Sequence, residues 1–308
     1  MNMNEEAAKR YRNYGFWNEA EQEAIDHAHV AIAGVGGDGF QLGLKLAQMG
    51  VRSFSIADPE VFEPENTNRV PGAVESTYGH NKAEVFRDRV MDIAPESNVA
   101  VFTEGVQEHS VEDFMHDATL VLDESELTHM QIGTMVARQA VAQGIPDMLV
   151  MNVGFAAQVT SFHPESKYTF ERFMGIPQGA PLDEIKDMEV DFARCIPYLP
   201  PYLDLQTFKE VMEGAPLPSI APGVDIASAI GSSQAFLHMT QGANNHRPDP
   251  VWAPRIAYMD ALTHQSHVTR YPRASHYRYL AQAVLKNTLG LYPRAAYTAE
   301  QREARANP

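Results

Sequence analysis

The chain has 308 residues and a single cysteine, Cys195. That count excludes an intrachain disulfide and any multi-cysteine zinc site built from this chain alone. No stretch approaches the roughly 20 consecutive apolar residues of a membrane-spanning helix, and the polar start MNMNEEAAKRYR has no signal-peptide core. A cytoplasmic protein without a membrane partner is expected. None of the twelve histidines stands in the H-E-x-x-H spacing that would place two metal ligands on one helical face. There is no internal repeat and no low-complexity segment. Positive charge is scarce: 24 Lys and Arg against 40 Asp and Glu leave a net charge of −16. Such a balance repels a phosphate backbone and argues against nucleic acid as a partner.

What the chain does have is 44% hydrophobic residues, enough for a substantial core. Its organising stretch is VAIAGVGGDG, residues 30–39. Small and β-favouring apolar residues run into four glycines, and Leu42, Leu46 and Met49 then recur at i, i+4 and i+7 on one helical face. The pattern is strand, tight turn, helix. Glycine suits a turn that a Cβ would forbid and lets a phosphate approach the main chain, while the following helix directs its first amides and its dipole at that phosphate.

From residue 29 to about 163 the chain alternates. Strands are expected at 29–33, 53–57, 99–103, 118–122, 147–152 and 157–163, and helices at 39–49, 81–93, 110–116 and 128–143. Alternation of this kind implies a doubly wound, mostly parallel Rossmann-like α/β sheet with helices on both faces, whose ligands sit outside the carboxyl ends of the strands. The organisation read from the sequence is a helical lead-in or dimer arm at 1–28, a nucleotide-binding core at 29–163, and a proline-rich crossover or lid at 164–222. A C-terminal helix and antiparallel strands at 223–297, including a last helix over 275–287, complete the same domain before a frayed tail at 298–308. The lead-in is too short for a separate folded domain. Aromatics such as Tyr168, Phe170 and Phe173 favour an ordered crossover.

Gly34-x-Gly36-x-x-Gly39 after a strand, with Asp58 ending the next strand, fits a dinucleotide-binding turn with an acid for the ribose. By itself this does not separate NAD from ATP. Downstream come Arg69 in ENTNR, Lys82 in GHNKAE and Asp123 after LVL. Cations there can hold phosphates and absorb developing charge, and a carboxylate can hold Mg²⁺. The set favours phosphate chemistry.

These elements resemble the ThiF/MoeB/HesA family, adenylating enzymes related to ubiquitin-activating enzymes, as a member without the zinc motifs. The likeness rests on YRNYG at residues 11–15, G-x-G-G-x-G at 34–39, Asp58 with Glu60, N-x-x-R at Asn66 and Arg69, G-x-x-K-A-E at 79–84, and Asp123. The resemblance implies that Gly34, Gly36, Gly37 and Gly39 approach the phosphates of ATP and that Asp58 binds the ribose. It implies that Asn66, Arg69 and Lys82 hold the phosphates and that Asp123 is the Mg²⁺ ligand. Arg12 would reach the active site of the other protomer in a homodimer. The implied activity is ATP-dependent adenylylation of a carboxylate, the C-terminus of a small ubiquitin-like carrier or of a ribosomal peptide, with release of pyrophosphate.

The chain departs from the family pattern in several places. Asp38 and Phe40 occupy turn positions where the family has an aliphatic and a small residue, so a carboxylate is expected near the phosphates, where it would impair ATP binding. The acid three residues after Asp123 is Glu126, followed by Leu127 rather than Asn. Cys195 lies in ARCIP, where a thiol beside Arg194 could accept an activated acyl group or simply pack under a loop. Two other functions stay open from the sequence: an NAD-dependent oxidoreductase using the same turn, and a catalytically inert relative acting as a partner subunit.

Overall fold

The computed structural model describes residues 5–126, 128–188, 200–212, 215, 217–270, 281, 284, 285 and 288–290. Cys195, most of the helix expected over 275–287 and the tail from 298 lie outside the described residues.

Eight strands form one sheet in the order β3-β2-β1-β4-β5-β6-β7-β8. They are β1 (His29–Ala33), β2 (Ser53–Ala57), β3 (Asn98–Phe102), β4 (Leu120–Asp123), β5 (Asp147–Val153), β6 (Ala156–Phe162), β7 (Arg255–Asp260) and β8 (Gln265–Arg270). The first five in chain order pair in parallel, and β6, β7 and β8 continue the sheet antiparallel. This is the expected mostly parallel sheet with C-terminal antiparallel strands; β6, read as part of the alternating core, is antiparallel because it follows β5 through a tight turn at Gly154 and Phe155 with no crossover helix between them.

Among the described residues the helices with assigned bounds are α1 (Glu5–Arg10), α2 (Glu19–Asp26), α3 (Gly37–Met49), α4 (Lys82–Ile93), α5 (Val111–Phe114), α6 (Met130–Gln143), α7 (Phe170–Met174), α8 (Leu182–Lys186), α9 (Leu205–Met212) and α10 (Ala221–Met239). The strand period of two sorts residues between two layers. Val30, Ile32, Phe54, Ile56, Leu120 and Leu122 pack with α3, α4 and α10 through Leu42, Leu46, Phe86 and Ala227. Ala31, Ala33, Ala57 and Val121 face the other way, onto Phe114 of α5 and Met135 and Val136 of α6. A parallel strand covered on both faces must be apolar throughout, which is why β1 reads as the run VAIA.

Phe40 belongs to this packing. It is fully buried and meets Phe86 edge-on with ring centroids 5.4 Å apart and Phe62 at 5.7 Å. Its ring therefore serves the core beneath α3 and leaves the turn's outer face free. Residues 164–222, weak in periodicity, contain the short helices α7, α8 and α9. Phe170 and Phe173 of this stretch are buried against Phe162, and Glu171 accepts from Arg138 Nη2 at 2.6 Å, fixing α7 onto α6.

Candidate active site

The strand order reverses at β1, which lies between β2 and β4. A crevice opens at such a switch point outside the carboxyl ends of the strands. Here it is a cavity of about 870 Å³, within the range of small-molecule sites.

Its floor is the glycine turn. Gly34 has φ +100°, and a Cβ there would lie 2.4 Å from the Glu124 carbonyl oxygen. A Cβ on Gly39 would lie 2.1 Å from the Gly34 carbonyl oxygen. Both glycines are needed for close backbone packing. Gly36 differs: nothing lies within 4 Å of a Cβ built there, and the residue lines the cavity. Gly36 also caps α3 without a side-chain bond to the first-turn amides, so those amides and the helix dipole are available to an anion. Main chain, open space and dipole together fit a phosphate.

Asp58 stands just past β2 and is 5% exposed. Its Oδ2 accepts the Val35 amide at 2.8 Å and its Oδ1 the Glu60 amide at 2.9 Å. Burial raises its pKa against these bonds and the nearby Lys82 charge. The next loop forms a short 3₁₀ turn, Pro64–Asn68, in which buried Asn66 accepts the Glu63 amide at 3.0 Å. Arg69 follows it, held by Asn68 Oδ1 at 2.8 Å and the Glu65 carbonyl at 3.2 Å. Lys82 opens α4. Asn81 caps that helix by accepting the Ala83 and Glu84 amides, and its Nδ2 donates to the Asp58 carbonyl at 2.9 Å. The cap thereby ties the lysine to the end of β2. Lys82 is 6% exposed and ion-paired with Glu60.

The structure brings together Gly34, Gly36, Gly37, Gly39, Asp58, Asn66, Arg69 and Lys82 around this one cavity. Arg12, expected at the other protomer's site, is exposed and does not line the cavity of its own chain. One residue expected in this cavity stands elsewhere. Asp123 is 1% exposed and bonded to Ser125 Oγ at 2.5 Å; it too is absent from the lining, which takes Glu124, Ser125 and Glu126 instead. The reason is strand periodicity. Asp123 shares the face of Val121 and points toward α6, where a Cβ on Gly133 would lie 2.6 Å from Asp123 Oδ2. Burial pushes Asp123 up to about 6.

Asp38 does line the cavity, as its place in the turn required. Its carboxylate is nevertheless engaged by Asn152: the Asn152 backbone amide donates at 3.0 Å, and Nδ2 reaches Oδ1 at 2.9 Å and Oδ2 at 2.8 Å. Burial outweighs these bonds and the Arg69 charge, pushing Asp38 up to about 7. Glu124 is also raised well above its ordinary value, by burial and then by Asp38 and Asp123. Carboxylates outnumber Arg69 and Lys82 around the cavity, so a polyphosphate entering it needs a divalent cation to offset the repulsion. Among the described residues no three His, Cys, Asp or Glu side chains gather where they could hold a metal ion. No described helix is long and apolar enough to cross a membrane.

The profile of the ThiF family matches residues 9–278. The chain belongs to the ThiF family. It is 30% identical over 99 residues to the tRNA threonylcarbamoyladenosine dehydratase of Escherichia coli (strain K12), covering 32% of this chain and 37% of the relative. The enzyme of that name from Bacillus subtilis (strain 168) is 30% identical over 135 residues, covering 44% of this chain and 52% of the relative. SUMO-activating enzyme subunit 1 of Bos taurus is 29% identical over 107 residues, covering 33% and 30%. The chain thus spans about half or less of the length of these curated relatives. Among solved structures, PaaA superposes with a TM-score of 0.63 at 17% identity over 87% of this chain and 74% of its own. E. coli MccB with MccA gives 0.65 at 16% identity over 88% and 73%. At such identities these two structures establish the fold.

Proposed function

We propose that the protein adenylylates a carboxylate with Mg·ATP. The observation that carries this reading is the convergence of Gly36's open face, Asn66, Arg69 and Lys82 on one cavity at the switch point of the sheet. The phosphates lie along the glycine turn and the first amides of α3, and Asp58 accepts the ribose hydroxyls on its remaining lone pairs. An oxygen of the acceptor carboxylate attacks the α-phosphorus, the bond to the bridging oxygen breaks, and pyrophosphate leaves. Negative charge grows on the phosphoryl oxygens, where Arg69 and Lys82 stabilise it. Lys82 exchanges its bond with solvated Glu60 for one to phosphate. Glu126, exposed on the cavity wall after β4, is the carboxylate placed to hold Mg²⁺, with buried Asp123 supporting the loop through Ser125.

The acceptor in this reading is the C-terminus of a peptide or small carrier protein. Family membership supports it, together with the fold shared with MccB, which has been solved with ATP and with MccA. The dehydratase relatives name a tRNA nucleoside as substrate, but a net charge of −16 favours the peptide over a polynucleotide. The protein acts as a homodimer in which exposed Arg12 reaches the partner's cavity, and the 164–222 crossover closes over the acceptor to keep water from the adenylate.

The test is exchange of labelled pyrophosphate into ATP across a panel of peptides with free or amidated C-termini. Exchange with a free C-terminus and none with its amidated counterpart is expected. Exchange with no acceptor, in a protein that binds NAD instead, overturns the reading.

A further inference from the structure

The glycine turn carries a carboxylate whose hydrogen bonds lead away from the phosphate path and across the cavity. Asp38 receives three bonds from Asn152. On the far side of that amide, Asn152 Oδ1 accepts from Ser219 Oγ at 3.1 Å. The Ser219 carbonyl accepts Asn68 Nδ2 at 2.9 Å, and Asn68 Oδ1 accepts Arg69 Nη1 at 2.8 Å. Residues 217–219 also line the cavity. The start of α10 packs on the same asparagine, since a Cβ on Gly223 would lie 3.2 Å from Asn152 Oδ1.

The chain of bonds has one polarity. In its ionised form, which the Asn152 donors favour, Asp38 only accepts, so it turns the Asn152 NH₂ toward itself and the Asn152 Oδ1 toward Ser219. A serine carbonyl only accepts, so it draws the Asn68 NH₂ and leaves Asn68 Oδ1 for the guanidinium, which only donates. An aliphatic side chain at position 38 would leave the Asn152 amide free to flip and would orient nothing beyond it.

We propose that Asp38 is a positioning residue which, through Asn152 and Ser219, locks residues 217–219 across the cavity and, through Asn68, presets Arg69 for the nucleotide. The second half rests on the adenylylation reading; the first half does not. Asp38 is thus the near end of a latch between the nucleotide wall and the acceptor wall. Arg69 and Glu124 are the charged groups closest to it in effect.

The experiment compares wild type, Asp38→Asn, Asp38→Leu, Ser219→Ala and the Asp38→Leu/Ser219→Ala double variant. The first readout is amide hydrogen exchange at residues 219–224, which needs no ligand. Asp38→Leu should speed that exchange by about tenfold or more, the scale of bonds to a charged group, and Ser219→Ala, which removes a neutral hydroxyl-to-amide bond, by about several-fold. The double variant should be no faster than the quicker single one. Asp38→Asn keeps the volume, yet its own NH₂ now competes with that of Asn152; it should move exchange in the same direction and also serves where the leucine variant is insoluble. The second readout is Mg·ATP affinity, expected to fall in the Asp38 variants, with Ser219→Ala adding nothing in the Asp38→Leu background. Wild-type exchange rates in both Asp38 variants, or effects that multiply in the double variant, overturn the latch. If the wild type binds no ATP, the adenylylation reading fails while the exchange data still decide whether the latch exists.

Discussion

The Val35 amide donates to Asp58 Oδ2 at 2.8 Å. This one bond clamps the turn after β1 to the end of β2, so the acid expected to hold a ribose also holds the floor proposed for the phosphates. Asp58→Asn should weaken Mg·ATP binding by about tenfold to a hundredfold, the equivalent of roughly 1.5–3 kcal/mol for a bond to a charged group. Isothermal titration of the variant checks this. An unchanged dissociation constant would remove Asp58 from the nucleotide site.

Arg69 and Lys82 approach the cavity from different elements, a 3₁₀ turn and a helix start. Either one replaced by alanine should lower kcat for adenylylation by about 10²- to 10³-fold, the usual loss when one donor to developing charge is removed. Folding should be little affected by Lys82→Ala, because the Glu60 partner it abandons is 58% exposed and remains hydrated. Pyrophosphate-exchange rates alongside thermal melts separate the two effects.

Glu126 lines the cavity and Asp123 does not. Glu126→Gln should therefore raise the Mg²⁺ concentration giving half-maximal exchange several-fold, with little change in melting temperature. Asp123→Asn should act mainly on stability through the lost Ser125 contacts. The reverse pattern in a Mg²⁺ titration would return the metal to Asp123.

Asp147 opens β5, is 1% exposed, and neither of its carboxyl oxygens has a hydrogen-bond partner among the described residues. Burial and then the Asp123 charge raise its pKa well above the ordinary 3.8. A carboxyl group raised in the folded state binds its proton more tightly there than in the unfolded chain. Its stabilising contribution is complete below the ordinary value and is lost as pH rises toward the folded one. Asp123, raised to about 6 by burial, has the same sign. The wild-type melting temperature should accordingly fall relative to Asp147→Asn as pH rises from about 4 toward neutrality. Parallel curves across that range would show that Asp147 ionises freely in the fold.

The strands were legible wherever burial on both faces left an unbroken apolar run, as in the VAIA of β1, and α6 wherever a long apolar face recurred with a glycine stop at Gly144. The glycine turn and its acid were legible because backbone geometry restricts which residues serve there. Asp123 shows what a motif alone conceals: its position follows from the sequence, but its direction depends on the period of β4, which carries it to the α6 side with Val121. Of the two acids beyond it that line the cavity, Glu124 and Glu126, the exposed one, Glu126, was visible only as an acid three residues on. Asp38 meeting Asn152 had no local signal at all, since 114 residues separate them and only the sheet joins them. The short helices α7 and α8 were hidden for a related reason, their buried residues being matched to Phe162 and α6 rather than to a repeat of their own.

The central claim is that the cavity takes a triphosphate with its metal rather than a nicotinamide dinucleotide. Calorimetric titration of the wild-type protein with Mg·ATP and, separately, with NAD tests it without knowledge of the acceptor. Saturable binding of Mg·ATP that is lost in the Arg69→Ala/Lys82→Ala double variant, with no heat from NAD, is the expected result. Binding of NAD with none of Mg·ATP would contradict it.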